Sequence, residues 1–267
     1  MGLGMSPVTR STDARGVATL TLNRPEKHNA FDTETLIALG EELRALDRDS
    51  SVRVVVLTGA GRTFCSGADL ATMRALATAT EEENLREAER LTEVLAQLAS
   101  LSRPTVARVN GNAFGGGVGL VACCDIAVAD ENAKFTLSEV RLGLVPAAIS
   151  PYVVAAIGTR QARRYFQTGE AISAADARRI GLVHETAVTA ALDSTVASIV
   201  DELLKGGPQA QREAKELIRE VAATQGAPDA NARRAAAQRL ARLRSSEEGR
   251  DGMSAFLEKR NPRWRKD

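Results

Sequence analysis

Hydrophobic and polar positions change period repeatedly along the 267-residue chain, and the changes delimit its elements. Gly16 to Leu22 alternates Ala18, Leu20 and Leu22 against Val17, Thr19 and Thr21, the period of a half-buried strand. Asn23-Arg24-Pro25 ends it, because proline cannot continue a ladder and restricts the residue before it. Leu36, Leu39, Leu43 and Leu46 then recur at helical spacing, behind Asp32 or Thr33 as N-cap. Val52 to Leu57 predicts a buried strand, and Thr58-Gly59-Ala60-Gly61 predicts a turn. Arg62 to Leu70 reads as a loop of small residues around Gly67, with Asp69 placed to cap the segment beyond it. Glu81 to Leu101 is helical, with Leu91, Val94, Leu95 and Leu98 as its buried face, until Ser102-Arg103-Pro104 breaks it. Thr105 to Val109 is a strand that leads into Asn110-Gly111.

The chain is organised around the next stretch, Ala113 to Ala129. Gly115, Gly116 and Gly117 follow a strand-like run and precede a small-residue segment that can be a buried helix. Such a run exposes backbone N–H groups, and the first N–H groups of a helix have no intrahelical partner, so they can hold an anion or a developing oxyanion. A tight helix–strand crossing would need the same glycines for packing alone.

Further on, Asp125 to Ala129 predicts a strand and Arg160 to Phe166 a helix. Ser173 to Ile180 predicts a helix capped by Ser173 and ended by Gly181, with a short strand at Leu182-Val183. Beyond Ala187 only helices are expected, over about 190–204, 208–224, 228–246 and 250–259. Strand–helix alternation in the first two-thirds implies an α/β fold of stacked ββα units, followed by a helical appendage.

Composition narrows the function classes. An apolar fraction of 44% supports a real core, and Lys+Arg (35) nearly balance Asp+Glu (34). A net charge of +1 gives no field for capturing nucleic acid or a membrane surface, so neither partner is expected. No apolar run approaches the ~20 residues of a membrane span, and the N-terminal stretch lacks the apolar core of a signal peptide. Cys65, Cys123 and Cys124 are odd in number and two are adjacent, which fits buried thiols in a reducing, cytoplasmic compartment. His28 and His184 are the only histidines, and no Cys/His spacing suggests a metal site.

Two glycine-containing loops, Cys65–Asp69 (CSGAD) and Phe114–Gly119 (FGGGVG), each follow a predicted strand and precede a predicted helix. Facing one another, they would converge the N–H groups of Ala68 and Gly116 on one oxygen, an arrangement that stabilises charge forming on a carbonyl. Neither loop fits a phosphate-binding motif, since GGGVG lacks the Lys-Ser/Thr of a P-loop. Cys65 has no evident partner to activate it as a nucleophile. His184 reads as a capped or surface histidine, and His28 lies beside a loop as a packing or binding residue. The arginines at 233, 234, 239, 242 and 244 read as a solvated or subunit-facing helix face, not a nucleic-acid site.

Four blocks in order, LNRPEKHNAFD (22–32), RTFCSGADL (62–70), NGNAFGGGVGLVACCDIAVAD (110–130) and FTLSEVRLGLVP (135–146), with AFLEKRNPRW (255–264), give a whole-length resemblance to the crotonase family of enoyl-CoA hydratases and isomerases. The resemblance implies a spiral of ββα units over 15–200 after a polar lead-in at 1–14. It also implies a C-terminal helical oligomerisation region over 201–267 and a homotrimer or dimer of trimers. No permanently bound cofactor is implied; coenzyme A enters as part of an acyl-CoA thioester. By position, the oxyanion donors are the Ala68 and Gly116 N–H groups. Lys27, Ser66, Ala68, Asp69, Leu70 and Gly116 fall where CoA would bind. Lys259 of an adjacent subunit is placed to meet a CoA phosphate, although Arg260, Arg263, Arg265 and Lys266 are equally placed by sequence.

The family's hydratases commonly use two glutamates. Glu139 fits one, but the other, three residues after the oxyanion glycine, is here Gly119. A single carboxylate can take a proton from water and return it to carbon, and it can equally shuttle a proton between Cα and Cγ. Hydration of a 2-enoyl-CoA and double-bond isomerisation are therefore both implied, with a catalytically silent acyl-CoA-binding protein as the alternative of another class. Gly119 either opens space for a bulkier or carboxylated acyl group or is a helix-packing glycine. The run GGGVGLVACCDIAVA with PAAISP at 146–151 and RQARRYFQTGE looks closest to bacterial hydratases of branched glutaconyl-CoA esters, as in leucine degradation. On that resemblance Arg141, Ser150 and Tyr152 are candidates to meet a distal carboxylate.

Overall fold

The computed structural model describes residues 6–224 and 229–265. Its main sheet takes the order β1 (Val8–Thr12), β2 (Val17–Leu22), β3 (Val54–Gly59), β4 (Thr105–Val109), β6 (Ile126–Asp130) and β9 (Glu185–Ala187). β1 pairs antiparallel with β2, and every other neighbour is parallel, with Leu20 opposite Leu57, Leu57 opposite Ala107 and Ala107 opposite Ala127. A smaller sheet joins β5 (Ala113–Phe114), β7 (Lys134–Thr136) and β8 (Ala171–Ser173). Parallel neighbours need long crossovers, and helices supply them. These are α1 (Thr33–Arg48), α2 (Leu70–Leu76), α3 (Glu81–Ser100), α4 (Gly116–Cys123), α5 (Ser150–Thr168), α6 (Ala174–Ile180) and α7 (Leu192–Lys205). The chain continues with α8 (Pro208–Ala223), α9 (Ala230–Ser245) and α10 (Glu247–Glu258).

Both faces of the main sheet are covered, which is why β3 is buried at every position and reads as an unbroken apolar run. Val54 and Val56 face one way, with Val106 and Val128, onto Leu192, Val196 and Val200 of α7. Val55 and Leu57 face the larger core, which includes Leu39, Leu43, Leu95, Leu98, Leu120 and Val153 from the crossover helices. α4 is buried nearly all round, as expected of a helix made of glycine, valine, leucine and cysteine at the centre of a domain.

The α/β expectation holds, as do the caps: Asp32 accepts from the Thr35 N–H, Asp69 from the Ala71 N–H and Ser173 from the Asp176 N–H. Three expectations change. The lead-in at 1–14 contains β1, whose residues after Val8 are exposed at the sheet edge and so carry no apolar alternation. The helix expected at 160–166 starts at Ser150 and runs to Thr168, with Pro151 in its first turn and a non-helical Gly158 interrupting the pattern. The short strand lies at 185–187, whereas Leu182 and Val183 are buried core residues ahead of it. Residues 1–5, Pro228 of the expected third C-terminal helix and Lys266 lie outside the described residues.

Among the described residues no helix is long and apolar enough to cross a membrane. None of their His, Cys, Asp and Glu side chains form a group of three or more able to hold a metal ion. Cys65, Cys123 and Cys124 are free and buried. Burial pushes the thiols of Cys65 and Cys124 up to about 12, so neither is a thiolate at neutral pH.

Candidate active site

A second row of pairing brings the two glycine loops together. Beyond the main sheet, Phe31 bridges Ala68, Cys65 bridges Ala113, Ala113 pairs with Phe135 and Phe135 with Ile172. Each turn of the chain thus adds one strand to the main sheet and one short extended segment to this row. That repetition stacks residues 28–31, 65–68 and 113–114 side by side. The Phe114 N–H donates to the Cys65 carbonyl at 2.9 Å, and the Phe31 N–H donates to the Gly67 carbonyl at 2.7 Å. A Cβ on Gly117 would stand 2.7 Å from the Cys65 carbonyl oxygen, and one on Gly67 would stand 3.0 Å from the Phe114 oxygen. The loops touch backbone to backbone, which only glycine permits.

In this setting the Ala68 N–H donates to no acceptor among the described residues: its neighbours Gly67 and Asp69 take up the bonds to Phe31, leaving Ala68 pointing the other way. The Gly116 N–H opens α4 and likewise has no acceptor among the described residues. Gly115, at φ 48° and ψ −117°, makes the reversal that aims the helix start, a conformation side-chain-bearing residues avoid. The two predicted donors are therefore unclaimed and belong to touching loops. Gly117→Ala is expected to force those loops apart, lowering stability by about 1–3 kcal/mol as overpacking does. It should also lower kcat in the folded fraction, measured by thermal denaturation alongside steady-state turnover.

Glu139 stands at the same place. It follows β7, whose Thr136 carbonyl accepts the Gly115 N–H at 2.9 Å, and it opens a short 3-10 turn over Glu139–Leu142. A Cβ on Gly115 would lie 3.2 Å from Glu139 Oε1, so the carboxyl sits against the oxyanion loop itself. Its Oε2 is buried with no hydrogen-bond partner among the described residues. Burial pushes the carboxyl above the usual carboxylate range, only partly offset by its own backbone N–H. A half-buried acid with an unclaimed oxygen beside two unclaimed donors is suited to moving a proton near a developing oxyanion.

Gly119 does not open space. A Cβ there would collide with the Ile149 side chain, reaching its Cβ at 2.9 Å, and would meet Leu95 Cδ2 at 3.3 Å. The volume a larger residue would take at 119 is filled by Ile149 of the PAAISP segment. The packing alternative for Gly119 is the one the structure bears out.

The remaining predicted residues divide. The Ser66 N–H donates to the His28 carbonyl at 3.0 Å and its hydroxyl donates to the Lys27 carbonyl at 3.4 Å, so Lys27 and Ser66 are neighbours. The carbonyls of Ser66 and Ala68 accept no hydrogen bond among the described residues. Leu70, at 71% exposure, opens α2 beside them. Asp69 is only 5% exposed, and its side chain is committed to the fold: Oδ1 accepts the Ala71 N–H at 2.8 Å and Oδ2 pairs with Arg24 at 3.2 Å. The Ala71 N–H and then the Arg24 charge hold its carboxyl below the usual range. Lys259 stands apart, exposed in the left-handed C-cap of α10, which packs on α8 and α9. Of its basic neighbours, Arg260 pairs with Asp251 and Glu258, and Arg263 with Glu247 and Asp251.

Ser150 and Arg141 are both engaged locally. The Ser150 hydroxyl donates to the Ala147 carbonyl at 2.8 Å, and Arg141 donates to the Thr168 carbonyl at 3.3 Å. Tyr152 is half-buried, and burial, then the nearby Cys123 and Glu93, push its phenol up. His28 meets Thr63 Oγ1 at 3.2 Å, and His184 Nδ1 accepts the Ala127 N–H at 3.1 Å, which makes the latter a structural histidine. Arg239 and Arg242 of the basic helix pair with Glu213, and Arg239 also with Glu220.

Sequence reasoning gives no role to Ile149 or Arg24, yet both stand at this site. Ile149 carries no signal of its own, because only the packing of α5 on α4 reveals it. Arg24 had one: an arginine next to proline in a block that the resemblance already singles out.

The chain is similar to known proteins over nearly its whole length. The family model described as enoyl-CoA hydratase/isomerase matches residues 12–267. The 2,3-dehydroadipyl-CoA hydratase of Escherichia coli is 34% identical over 250 residues, covering 92% of this chain and 94% of that protein. The short-chain-enoyl-CoA hydratase of Clostridium acetobutylicum is 32% identical over 250 residues, covering 91% and 92%. The crystal structure of an enoyl-CoA hydratase from Shewanella pealeana superposes with a TM-score of 0.93 at 39% identity, covering 97% of this chain and 96% of that one. The chain belongs to the enoyl-CoA hydratase/isomerase family, the crotonases.

Proposed function

We propose that this enzyme, a hydro-lyase of the crotonase family, adds water across the conjugated double bond of a 2-enoyl-CoA thioester, with Glu139 as its only carboxylate acid/base. One observation carries this reading: the half-buried Glu139 carboxyl, whose Oε2 has no partner among the described residues, lies against Gly115, immediately before the unclaimed Gly116 N–H. The thioester oxygen takes hydrogen bonds from the Ala68 and Gly116 N–H groups, which hold the charge of the enolate. Ionised Glu139 takes a proton from water as it attacks Cβ, then returns that proton to Cα. Burial serves both halves, since a carboxyl with a raised pKa is a stronger base when ionised and is readily protonated in the intermediate.

The free carbonyls of Ser66 and Ala68, with Lys27 and Leu70 beside them, suit the CoA nucleotide, with Asp69 holding that loop from beneath. Lys259, whose described neighbours Arg260 and Arg263 are already paired, suits a CoA phosphate on an adjacent subunit. The exposed Leu217, Ile218, Val221, Leu240, Met253, Phe256 and Leu257 of α8–α10 support a homotrimer or dimer of trimers, and Phe256 is 83% exposed in the single chain. Buried free thiols fit a reducing cytoplasm.

The finer reading, a branched glutaconyl-type ester, rests on the sequence resemblance and on a relative named for dehydroadipyl-CoA, also a dicarboxylic thioester. Gly119 lends it no support, because Ile149 fills that space. The single carboxylate also favours a second reading, proton shuttling in a 3-enoyl-CoA. A panel of straight-chain 2-enoyl, glutaconyl-type 2-enoyl and 3-enoyl esters separates these readings by product. Hydration of the 2-enoyl esters is expected, fastest for the glutaconyl type; conjugation of the 3-enoyl ester without hydration would give the isomerase, and no turnover would give a silent binder.

A further inference from the structure

The segment that carries the Ala68 N–H is held by an ion cluster that lies behind it and does not itself face the oxyanion. After β2, residues 25–27 form a 3-10 turn, and His28 and Asn29 both adopt left-handed backbone. The chain thereby doubles back so that residues 28–31 run beside 66–69. Three hydrogen bonds stitch the pair, from the Ser66 N–H to the His28 carbonyl, from the Phe31 N–H to the Gly67 carbonyl and from the Asp69 N–H to the Phe31 carbonyl. Alternate N–H groups of an extended segment point to opposite edges, so this stitching leaves Ala68 directed the other way.

Arg24 grips both members of the pair at once. Its Nη1 donates to the Ala30 carbonyl at 2.8 Å, while Nη2 meets Asp32 Oδ2 at 2.8 Å and Asp69 Oδ2 at 3.2 Å. The Arg24 backbone N–H also donates to Asn29 Oδ1 at 2.9 Å, and Asn29 Nδ2 donates to the carbonyls of Ala60 and Thr63. The Arg24 and Asp69 side chains are only 17% and 7% exposed, so water does not substitute for these contacts. Asp69 is one residue from Ala68, and a rotation of its backbone would re-aim that N–H. A planar guanidinium satisfies three acceptors in fixed directions, which an ammonium cannot reproduce.

We propose that Arg24, through Asp69 and Asp32, is a positioning residue that fixes the direction of the Ala68 N–H and thereby tunes the oxyanion hole. The proposal rests on the Ala68–Gly116 hole described above. The guanidinium touches no substrate, and its effect falls on the transition state more than on ground-state binding, because CoA also contacts groups that Arg24 does not hold. Loss of one misaligned donor bounds the effect at about 10²–10³ in kcat.

The test uses the full chain with Arg24→Lys and with Asp69→Asn, which keeps an oxygen for the Ala71 N–H. Butyryl-CoA, saturated and unreactive, is isotope-labelled at its thioester carbonyl, and the carbonyl stretch of the bound ester is recorded by infrared difference spectroscopy. The wild type is expected to lower that stretch relative to the free ester. Both variants should lose at least about half of the lowering and about 10–100-fold in kcat, with the Kd for butyryl-CoA within about threefold. A purely structural role would change the melting temperature and leave the stretch alone. Folded variants with the full lowering and kcat within about twofold of wild type would overturn the role of Arg24. Absence of any lowering in the wild type would instead overturn the oxyanion hole on which it rests.

Discussion

Glu139→Gln is expected to lower kcat for hydration by about 10²–10⁴, the contribution of a positioned general acid–base, while leaving the fold intact. Glutamine keeps the volume beside Gly115 and removes only the ability to carry a proton. The wild-type rate should fall on acidification as the base is protonated, with its midpoint above the range of an exposed carboxylate, because burial pushes the group up. Stability moves the opposite way. A carboxyl whose pKa is raised on folding contributes stability that is fully present below its unfolded-state pKa and lost as pH rises through the folded value. Once ionised, Glu139 is therefore a cost, and above its folded-state pKa the glutamine variant should melt at the same temperature or higher. Undiminished turnover in Glu139→Gln, or an acid limb at the pKa of a free carboxylate, would remove Glu139 from the role assigned to it.

Gly119→Glu is expected to damage the fold instead of supplying a second catalytic carboxylate. The new Cβ would collide with Ile149 inside the α4–α5 contact, with Leu95 closing the other side. Overpacking of this kind costs about 1–3 kcal/mol, and an unpaired carboxylate in a buried position adds several more. Together these are a large fraction of the about 5–15 kcal/mol that stabilises a typical domain. Pairing the change with Ile149→Gly removes the clash, so the double variant should be more stable than Gly119→Glu alone, with a coupling energy of about 0.5–3 kcal/mol. Denaturation midpoints of the four members of the cycle measure this. A Gly119→Glu single variant with the wild-type midpoint would show that Ile149 does not hold that volume.

The two loops illustrate what the sequence makes legible. Glycine at 67 and 115–117, each loop placed between a strand and a helix, makes Ala68 and Gly116 candidates, and the resemblance assigns them; the signal is legible because its cause is local, in backbone conformation and the orphan donors of a helix start. The caps at Asp32, Asp69 and Ser173 are legible for the same reason. What escapes is non-local. Whether Gly119 opened a pocket or closed a contact depended on a side chain 30 positions later, on a helix whose start the Ala147–Pro151 segment disguises. The resemblance puts Asp69 among the CoA-binding positions, but the fold turns its carboxylate towards Arg24, 45 positions earlier. β1 was invisible because an edge strand buried only at Val8 shows no alternation.

Addition of water to a conjugated acyl-CoA by one half-buried glutamate and two backbone donors leaves an isotopic signature in the product. Mixing the wild-type protein with a 2-enoyl-CoA ester in isotopically labelled water and analysing the product by mass spectrometry reads that signature. The wild type is expected to form a 3-hydroxyacyl-CoA carrying one labelled oxygen, at a rate reduced about 10²–10⁴-fold by Glu139→Gln. An unlabelled, positionally isomerised ester, or no product from any member of the ester panel, would rule out hydration by these groups.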